Sequence, residues 1–250
     1  MATGAELRQY RDYLVAYGGG YLRNTLWASG STCRHCCGIP GNPDFDTCYS
    51  CSHYYEPSGE TSDRRGFVSY GWDNSQSSRV MYGYKEQVPS HQAYRVVNVM
   101  LFYALHEHLR CAADPCHGPA ALWATVPSLR GRAYPQALHV MAAALLRNMP
   151  EASLGPAGDI QAPRSLRPDN FVVHSQVRGQ HVLLLDDTWT SGGHAESAAA
   201  ALKRAGAARV TLLVLARWLD LTRGGTEEFV RTELTNDFDP DRCPFGISCP

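Results

Sequence analysis

The sequence lacks an excess of charge of either sign. Its 250 residues carry 23 Lys and Arg against 24 Asp and Glu, a formal net charge of -1. Proteins that bind nucleic acids through the phosphates usually carry a basic excess, so this balance argues against a general nucleic-acid binder. The charged fraction is 19% and the hydrophobic fraction 44%, which is typical of a packed globular chain and not of a disordered one.

Long hydrophobic runs are also missing. The most apolar stretch, 96–105, is interrupted by Asn98 and is too short to span a bilayer. The first residues contain no basic segment followed by an apolar run, so the sequence predicts no secretory signal. We therefore expect a soluble, cytoplasmic protein. In that reducing compartment, cysteines serve as metal ligands or thiols more often than as disulfides.

Cysteine, in contrast, is abundant, with nine residues in the chain. Cys33 and Cys36 form one C-x2-C pair, and Cys48 and Cys51 form a second. Two such pairs can close a tetrahedron of thiolates around zinc. Because four thiolates leave no position open for water or substrate, we predict a structural zinc ion and not a catalytic one.

The remaining cysteines do not share this spacing. His35 or His53 could replace one cysteine in a mixed site, and Cys37, beside Cys36, is the weaker candidate ligand. The tail pair Cys243 and Cys249 lies in a segment rich in Pro and Gly, and ordinary thiols are the favoured interpretation. The alternative is a second metal site, for which the tail pair would need a partner from Cys111, Cys116 or His117.

The second half of the chain alternates short apolar runs with helical segments. Apolar runs at 121–126, 171–173, 182–185 and 209–216 predict strands, and 135–147 and 194–205 predict helices. Before them we expect a strand at 66–70 and helices at 77–85 and 92–109, while 155–168 reads as a loop over the site. Strands that alternate with helices predict an α/β fold, a parallel sheet flanked by helices on both faces.

The most informative stretch is VLLLDDTWTSGGH, residues 182–194. A buried strand ends in Asp186 and Asp187, and a turn rich in hydroxyls and glycine then opens a helix. A helix start offers unpaired N–H groups and a positive dipole end to an anion. Because Gly192 and Gly193 have no side chains, an anion can approach the backbone closely there. The two carboxylates suit sugar hydroxyls, or a magnesium ion carried by the substrate. A simple helix cap would explain Thr190 or Ser191 alone but not the whole pattern.

This stretch resembles the phosphoribosyl-pyrophosphate signature of type I phosphoribosyltransferases, and with the cysteine pairs the chain is similar to their ComF-like branch. The resemblance covers residues 33–51 and roughly 80–217. It implies that Asp186 and Asp187 bind ribose hydroxyls as catalytic residues. The same resemblance implies that a phosphate-binding loop is formed by Thr188, Thr190, Ser191, Gly192, Gly193 and His194. His194 replaces the usual final Thr of the signature, and Thr188 replaces a usual aliphatic residue.

Two further segments resemble parts of the same site. Residues 126–132 resemble the family's pyrophosphate loop, in which Arg130 would be catalytic, Arg132 would hold diphosphate, and Ser128 and Leu129 would touch substrate. The resemblance also makes the Ser128–Leu129 bond a candidate for a cis peptide. Lys85 resembles a lysine that ComF-like chains carry after the zinc module. Exposed loop arginines and a lysine at a helix end are the alternative interpretations.

The function implied by this resemblance is transfer of a phosphoribosyl group from phosphoribosyl pyrophosphate, with magnesium, to a nitrogen acceptor, with release of pyrophosphate. The alternative is a non-catalytic phosphoribosyl-pyrophosphate- or nucleotide-binding module with a role in regulation or DNA uptake. We expect a zinc module at 1–60, a transferase-like domain at 61–222, and a helix with a cysteine-containing tail at 223–250. A homodimer is expected by analogy alone.

Overall fold

A twisted sheet of five strands organises the molecule in the computed structural model, which describes residues 3–42, 44–113, 118–129, 136–162 and 165–246. The strand order is β1-β2-β7-β6-β3; β2, β7, β6 and β3 run parallel, and β1 pairs antiparallel with β2 at one edge. Two more strands, β4 and β5, form a separate antiparallel pair. The strands are β1 (Arg23–Asn24), β2 (Arg64–Trp72), β3 (Leu122–Thr125), β4 (Leu154–Pro156), β5 (Phe171–Val173), β6 (His181–Trp189) and β7 (Arg209–Leu219).

Helices cover both faces of this sheet. They are α1 (Gly4–Gly18), α2 (Gln76–Gly83), α3 (His91–His108), α4 (Ala137–Leu145), α5 (Gly193–Arg204) and α6 (Thr226–Thr232). Residues from α1 to α4 form the core on one face, and those from α5, α6 and the cysteine-rich segment form the core on the other. This architecture confirms the predicted α/β class, a mostly parallel sheet flanked by helices.

The central strands contain continuous apolar runs because both of their faces are buried. Along β6, Leu183 and Leu185 pack in the core under α3, while Val182 and Leu184 pack in the core under α5. Successive side chains of a strand point to opposite faces, so a strand covered on both sides shows a continuous apolar run instead of an alternating one.

Side chains cap the first three helices, for example Ser90 at the start of α3, whose Oγ accepts a hydrogen bond from Ala93 N. No described helix is long and apolar enough to cross a membrane.

One predicted strand lies outside the main sheet. The 171–173 run was expected to join the parallel sheet, but β5 pairs with β4 through Leu154 opposite Val173, and the sheet ends at β3. The expectation of a loop at 155–168 is correspondingly wrong for its first residues, which belong to β4. A run of three apolar residues can form a strand in the main sheet or outside it. The pairing is decided here by residues 154–156, which provide an antiparallel partner.

The cysteine-rich segment and the C-terminal tail both lie near β2. Residues 25–63, including the four cysteines, are inserted between β1 and β2, two strands that pair with each other. The tail returns to the same region, where Phe67 N donates to Pro244 O at 2.9 Å. The division at residues 60 and 222 stays a prediction.

Candidate functional site

A cleft of about 380 Å³ opens at the carboxyl ends of the parallel strands β3 and β6. Open α/β sheets bind their ligands at this edge. Ten of the residues singled out from sequence line the cleft: Lys85, Ser128, Leu129, Asp186, Asp187, Thr188, Thr190, Ser191, Gly192 and His194. Gly193 is buried in the first turn of α5, and Arg130 and Arg132 lie outside the described residues.

Two adjacent carboxylates end β6 inside the cleft. Asp187 Oδ2 accepts hydrogen bonds from Lys85 Nζ and from the hydroxyl of Tyr84, both at 2.7 Å. Lys85 and Tyr84 reach it from the end of α2, so residues about one hundred positions apart in the chain meet at one atom. Asp186 Oδ1 accepts from the backbone N of Asp187 at 2.9 Å.

The two carboxylates differ in their electrostatics. Burial, followed by the charge of Asp187, raises the pKa of Asp186 well above its ordinary value. Burial also acts to raise the pKa of Asp187, but the charge and hydrogen bond of Lys85 and the Tyr84 hydroxyl outweigh it and lower that pKa. Lys85 therefore favours the charged form of Asp187, whereas burial favours the protonated form of Asp186.

The turn after β6 depends on a glycine. Gly192 has a φ of 91°, in the left-handed region that side chains disfavour, and it caps the start of α5. A Cβ at this position would lie 2.1 Å from Cζ2 of Trp189, whose ring is almost fully buried against Phe67 and Tyr55. Only glycine lets the chain turn back over this indole and bring the first N–H groups of α5 to the cleft.

A buried carboxylate also lies in the first turn of α5. Glu196 accepts hydrogen bonds from the backbone N of Ser62 at 2.7 Å and from its hydroxyl at 2.8 Å, and it forms an ion pair with Arg65. The positive end of the helix dipole favours a carboxylate here. Because Arg65 balances the charge of Glu196, the helix start can still attract a second anion.

His194 lines the cleft and also contacts the loop after β3. Its Nε2 donates to the carbonyl of Pro127 at 2.9 Å, and its ring stacks on Phe171. Burial lowers the pKa of His194 and favours the neutral ring, which has only one N–H to give. With that N–H bound to Pro127, His194 joins the loop after β3 to α5.

The loop after β3 is described as far as Leu129. Ser128 and Leu129 line the cleft, opposite the start of α5. Their peptide bond is trans, so the expected cis peptide is wrong for this structure. The trans form is the lower in energy, by about 3–4 kcal/mol for a bond without proline.

The four predicted zinc ligands come together as a cluster. The sulfur atoms of Cys33, Cys36, Cys48 and Cys51 all lie within 4.8 Å of one another, with Cys36 and Cys48 at 3.6 Å. The backbone N of residue 35 donates to Cys33 Sγ at 3.4 Å, a contact that stabilises a thiolate. Four sulfur donors at this separation fit a closed tetrahedral zinc site.

Neither histidine of this segment joins the four-cysteine cluster. His35 Nε2 lies 2.7 Å from Glu56 Oε1, and His53 stacks on Tyr49. Cys37 is buried outside the cluster. The mixed-site alternative is therefore not what the structure forms.

Arg217 joins the four-cysteine cluster to the turn after β6. Its Nε donates to the carbonyl of Cys36 at 2.8 Å and one amino group donates to the carbonyl of Thr190 at 3.1 Å and of Trp189 at 3.4 Å. The other amino group lies 3.6 Å from Cys36 Sγ, in space left by Gly38, where a Cβ would come within 2.0 Å of it. One buried guanidinium thus holds the four-cysteine cluster against the turn after β6.

Tyr55 makes a second link between the four-cysteine cluster and the turn after β6. It lies at the end of the short helical turn that begins at Cys51, and its hydroxyl donates to the carbonyl of Ser191 at 2.6 Å. Sequence reasoning missed Tyr55, Tyr84, Glu196 and Arg217. The one usable signal was an arginine inside the apolar run 209–219, because a charge on a strand buried on both faces needs specific partners.

Comparisons with known proteins give a weak structural likeness. No family model and no curated protein matches the chain. Among solved structures, the chain has a weak likeness to a purine phosphoribosyltransferase from Pyrococcus horikoshii Ot3, with 14% identity over 62% of this chain and 91% of that one. The TM-score is 0.29, and the chemistry of the cleft must be argued from its own residues.

Proposed function

We propose that the cleft binds phosphoribosyl pyrophosphate with magnesium and transfers its phosphoribosyl group to a nitrogen acceptor, releasing pyrophosphate. The observation that carries this proposal is the juxtaposition of two carboxylates, a glycine turn and a helix start at one sheet edge. Carboxylates bind sugar hydroxyls, and the N–H groups of the turn and helix start bind a phosphate. A ribose phosphate presents both groups in one molecule.

In this proposal each element holds one part of the substrate. Asp186 and Asp187 accept hydrogen bonds from the ribose hydroxyls. Thr188, Thr190, Ser191 and the first amides of α5 surround the 5-phosphate. Magnesium enters with the substrate and neutralises its diphosphate. The transition state at the sugar carbon is cation-like, so catalysis comes from positioning and from stabilisation of the departing diphosphate.

The diphosphate is assigned to the loop after β3. Ser128 and Leu129 lie across the cleft from the helix start, which leaves the sugar carbon between the two anion sites. We assign Arg130 and Arg132 to the diphosphate from sequence alone, because a guanidinium offers forked donors to phosphate oxygens. Lys85 is assigned to the carboxylate pair, since it contacts Asp187.

The ComF-like branch, the domain division at residues 60 and 222, a homodimer and a cytoplasmic location belong to the same proposal. The ComF-like assignment is supported by a four-cysteine cluster that contacts the phosphate turn through Arg217. The location is supported by the need to keep those four thiols reduced.

Titration calorimetry with phosphoribosyl pyrophosphate and magnesium tests binding, and a pyrophosphate-release assay over a panel of bases and amines tests turnover. We expect Asp187→Asn to weaken binding by about tenfold or more, because hydrogen bonds to a charged carboxylate are lost. Asp220→Asn is the matched control, since Asp220 is exposed beyond the end of β7 and accepts from Thr222. Binding without turnover on every acceptor would favour the non-catalytic binding module. Absence of binding by the wild-type protein would refute both functions.

A further inference from the structure

A second group of metal-ligating side chains lies on the opposite side of the fold from the four-cysteine cluster. His108 is the last residue of α3, Cys111 lies in the helical turn Arg110–Ala112, and Cys243 lies in the C-terminal tail. Their ligand atoms are all within 4.8 Å of one another. His108 and Cys111 are buried, and Cys243 is partly buried against the same core.

The chemistry of this group suits zinc. Zinc takes sulfur ligands at about 2.3 Å and imidazole nitrogen at about 2.0–2.1 Å in a tetrahedron, which brings neighbouring ligand atoms to about 3.3–3.8 Å. The ligand atoms, all within 4.8 Å of one another, are close enough to surround one ion in this arrangement. Two thiolates also balance the charge of a divalent ion, so the site adds no net charge to the core.

The second ring nitrogen of His108 has the partner that a metal-bound imidazole needs. Its Nε2 lies 3.2 Å from the carbonyl oxygen of Pro240, which can only accept, so Nε2 carries the proton. Nδ1 then holds a lone pair. Histidines that bind metals commonly donate their other N–H to a backbone carbonyl, which fixes the ring and its tautomer.

These residues come from distant parts of the chain. His108 contacts Pro240 across 132 residues, and the described part of the tail after α6 forms no helix or strand. Cys37, the other described cysteine outside the four-cysteine cluster, is equally buried and belongs to no such group.

A metal at this position would fasten the tail where it covers the sheet. Pro244 O accepts hydrogen bonds from Phe67 N and from Trp27 Nε1, and Phe245 fills the space above Gly66, where a Cβ would come within 2.6 Å of its ring. Cys243 directly precedes these two residues, so fixing its sulfur holds the tail against β2.

We propose that His108, Cys111 and Cys243 bind a second zinc ion, which fastens the C-terminal tail to the end of α3. The fourth ligand is water or another donor of the chain. The site is distinct from the four-cysteine cluster and does not depend on the function assigned to the cleft.

Metal content tests the proposal on the full-length protein, freed of any affinity tag and dialysed without chelator. We expect two zinc ions per chain in the wild type and one in Cys243→Ser and in His108→Gln. The matched control is His106→Gln, on the same helix end, whose ring packs on Phe102 and whose loss should leave two zinc ions. The proposal is overturned by one zinc ion in the wild type, or by two zinc ions in both Cys243→Ser and His108→Gln.

X-ray absorption at the zinc edge gives a second readout, which identifies the atoms bound to zinc. Four-cysteine zinc shows sulfur neighbours only, at about 2.3 Å, whereas the second site adds a nitrogen shell at about 2.0–2.1 Å with imidazole scattering. We expect that shell in the wild type, and we expect Cys243→Ser to lose it. A spectrum with sulfur alone contradicts the proposal. A disulfide between Cys111 and Cys243 that persists in the folded protein under reducing conditions also contradicts it.

Discussion

Replacement of Gly192 by alanine tests how the phosphate turn is built. The residue has a φ of 91°, and a side chain in the left-handed region costs about 1–2 kcal/mol. The added Cβ would also lie 2.1 Å from the Trp189 ring, and crowding in a packed interior costs about 1–3 kcal/mol. We therefore expect Gly192→Ala to lower the free energy of unfolding by about 2–5 kcal/mol.

The matched control separates the two costs. Gly179 has a similar φ of 72°, and no atom of the described residues lies within 4 Å of a Cβ built there. Gly179→Ala should therefore cost only the backbone part, about 1–2 kcal/mol. Urea unfolding followed by far-UV circular dichroism measures both variants, with the m-value checked for each.

A second background isolates the contact with the indole. In a Trp189→Leu protein the ring is absent, so adding Gly192→Ala should cost no more than the backbone part. Equal losses for Gly192→Ala and Gly179→Ala, or an unchanged cost in the Trp189→Leu background, would refute the close approach of this turn to Trp189.

Three further predictions concern the contacts around the turn. Arg217→Met should lower the free energy of unfolding by about 3–5 kcal/mol, because it leaves buried acceptors and the charge at Cys36 without a partner; loss of far less in urea unfolding contradicts this. Tyr55→Phe should cost about 1 kcal/mol through loss of the bond to Ser191 O, whereas Tyr54→Phe, at an exposed ring, should cost almost nothing. Lys85→Met should cost about 1.5–3 kcal/mol at neutral pH. Lys85 holds the pKa of Asp187 low, and this stabilisation exists above the unfolded pKa and disappears as the pH falls through the folded one. The difference between Lys85→Met and wild type should therefore shrink on acidification, and a constant difference across the pH range rules out the pair as its source.

Much of the candidate site followed from local sequence because its chemistry is contiguous. The two aspartates, the hydroxyl residues and Gly192 lie on one strand, one turn and one helix start, so adjacency in sequence became adjacency in space. The four zinc ligands were predictable for a similar reason, since each C-x2-C pair places two sulfurs on one short turn.

The partners of those residues were not predictable in the same way. Asp187 meets Lys85 and Tyr84 across about one hundred residues, and Arg217 reaches Cys36 across 181. His194 gives its N–H to Pro127 only because α5 packs beside the loop after β3. The sequence positions of these residues contain no pattern that predicts such long-range contacts.

The sequence alone determined the elements whose signal is local: the apolar strands, the capped helices, the aspartate and glycine turn, and the cysteine pairs. Only the tertiary structure decided that β5 pairs with β4 outside the main sheet, that Lys85 and Tyr84 contact Asp187, and that His108, Cys111 and Cys243 meet. The physical reason is the range of the forces involved. Backbone conformation and side-chain pattern are settled within a few residues. Burial, charge pairing and metal geometry depend on what the folded chain brings within a few ångströms.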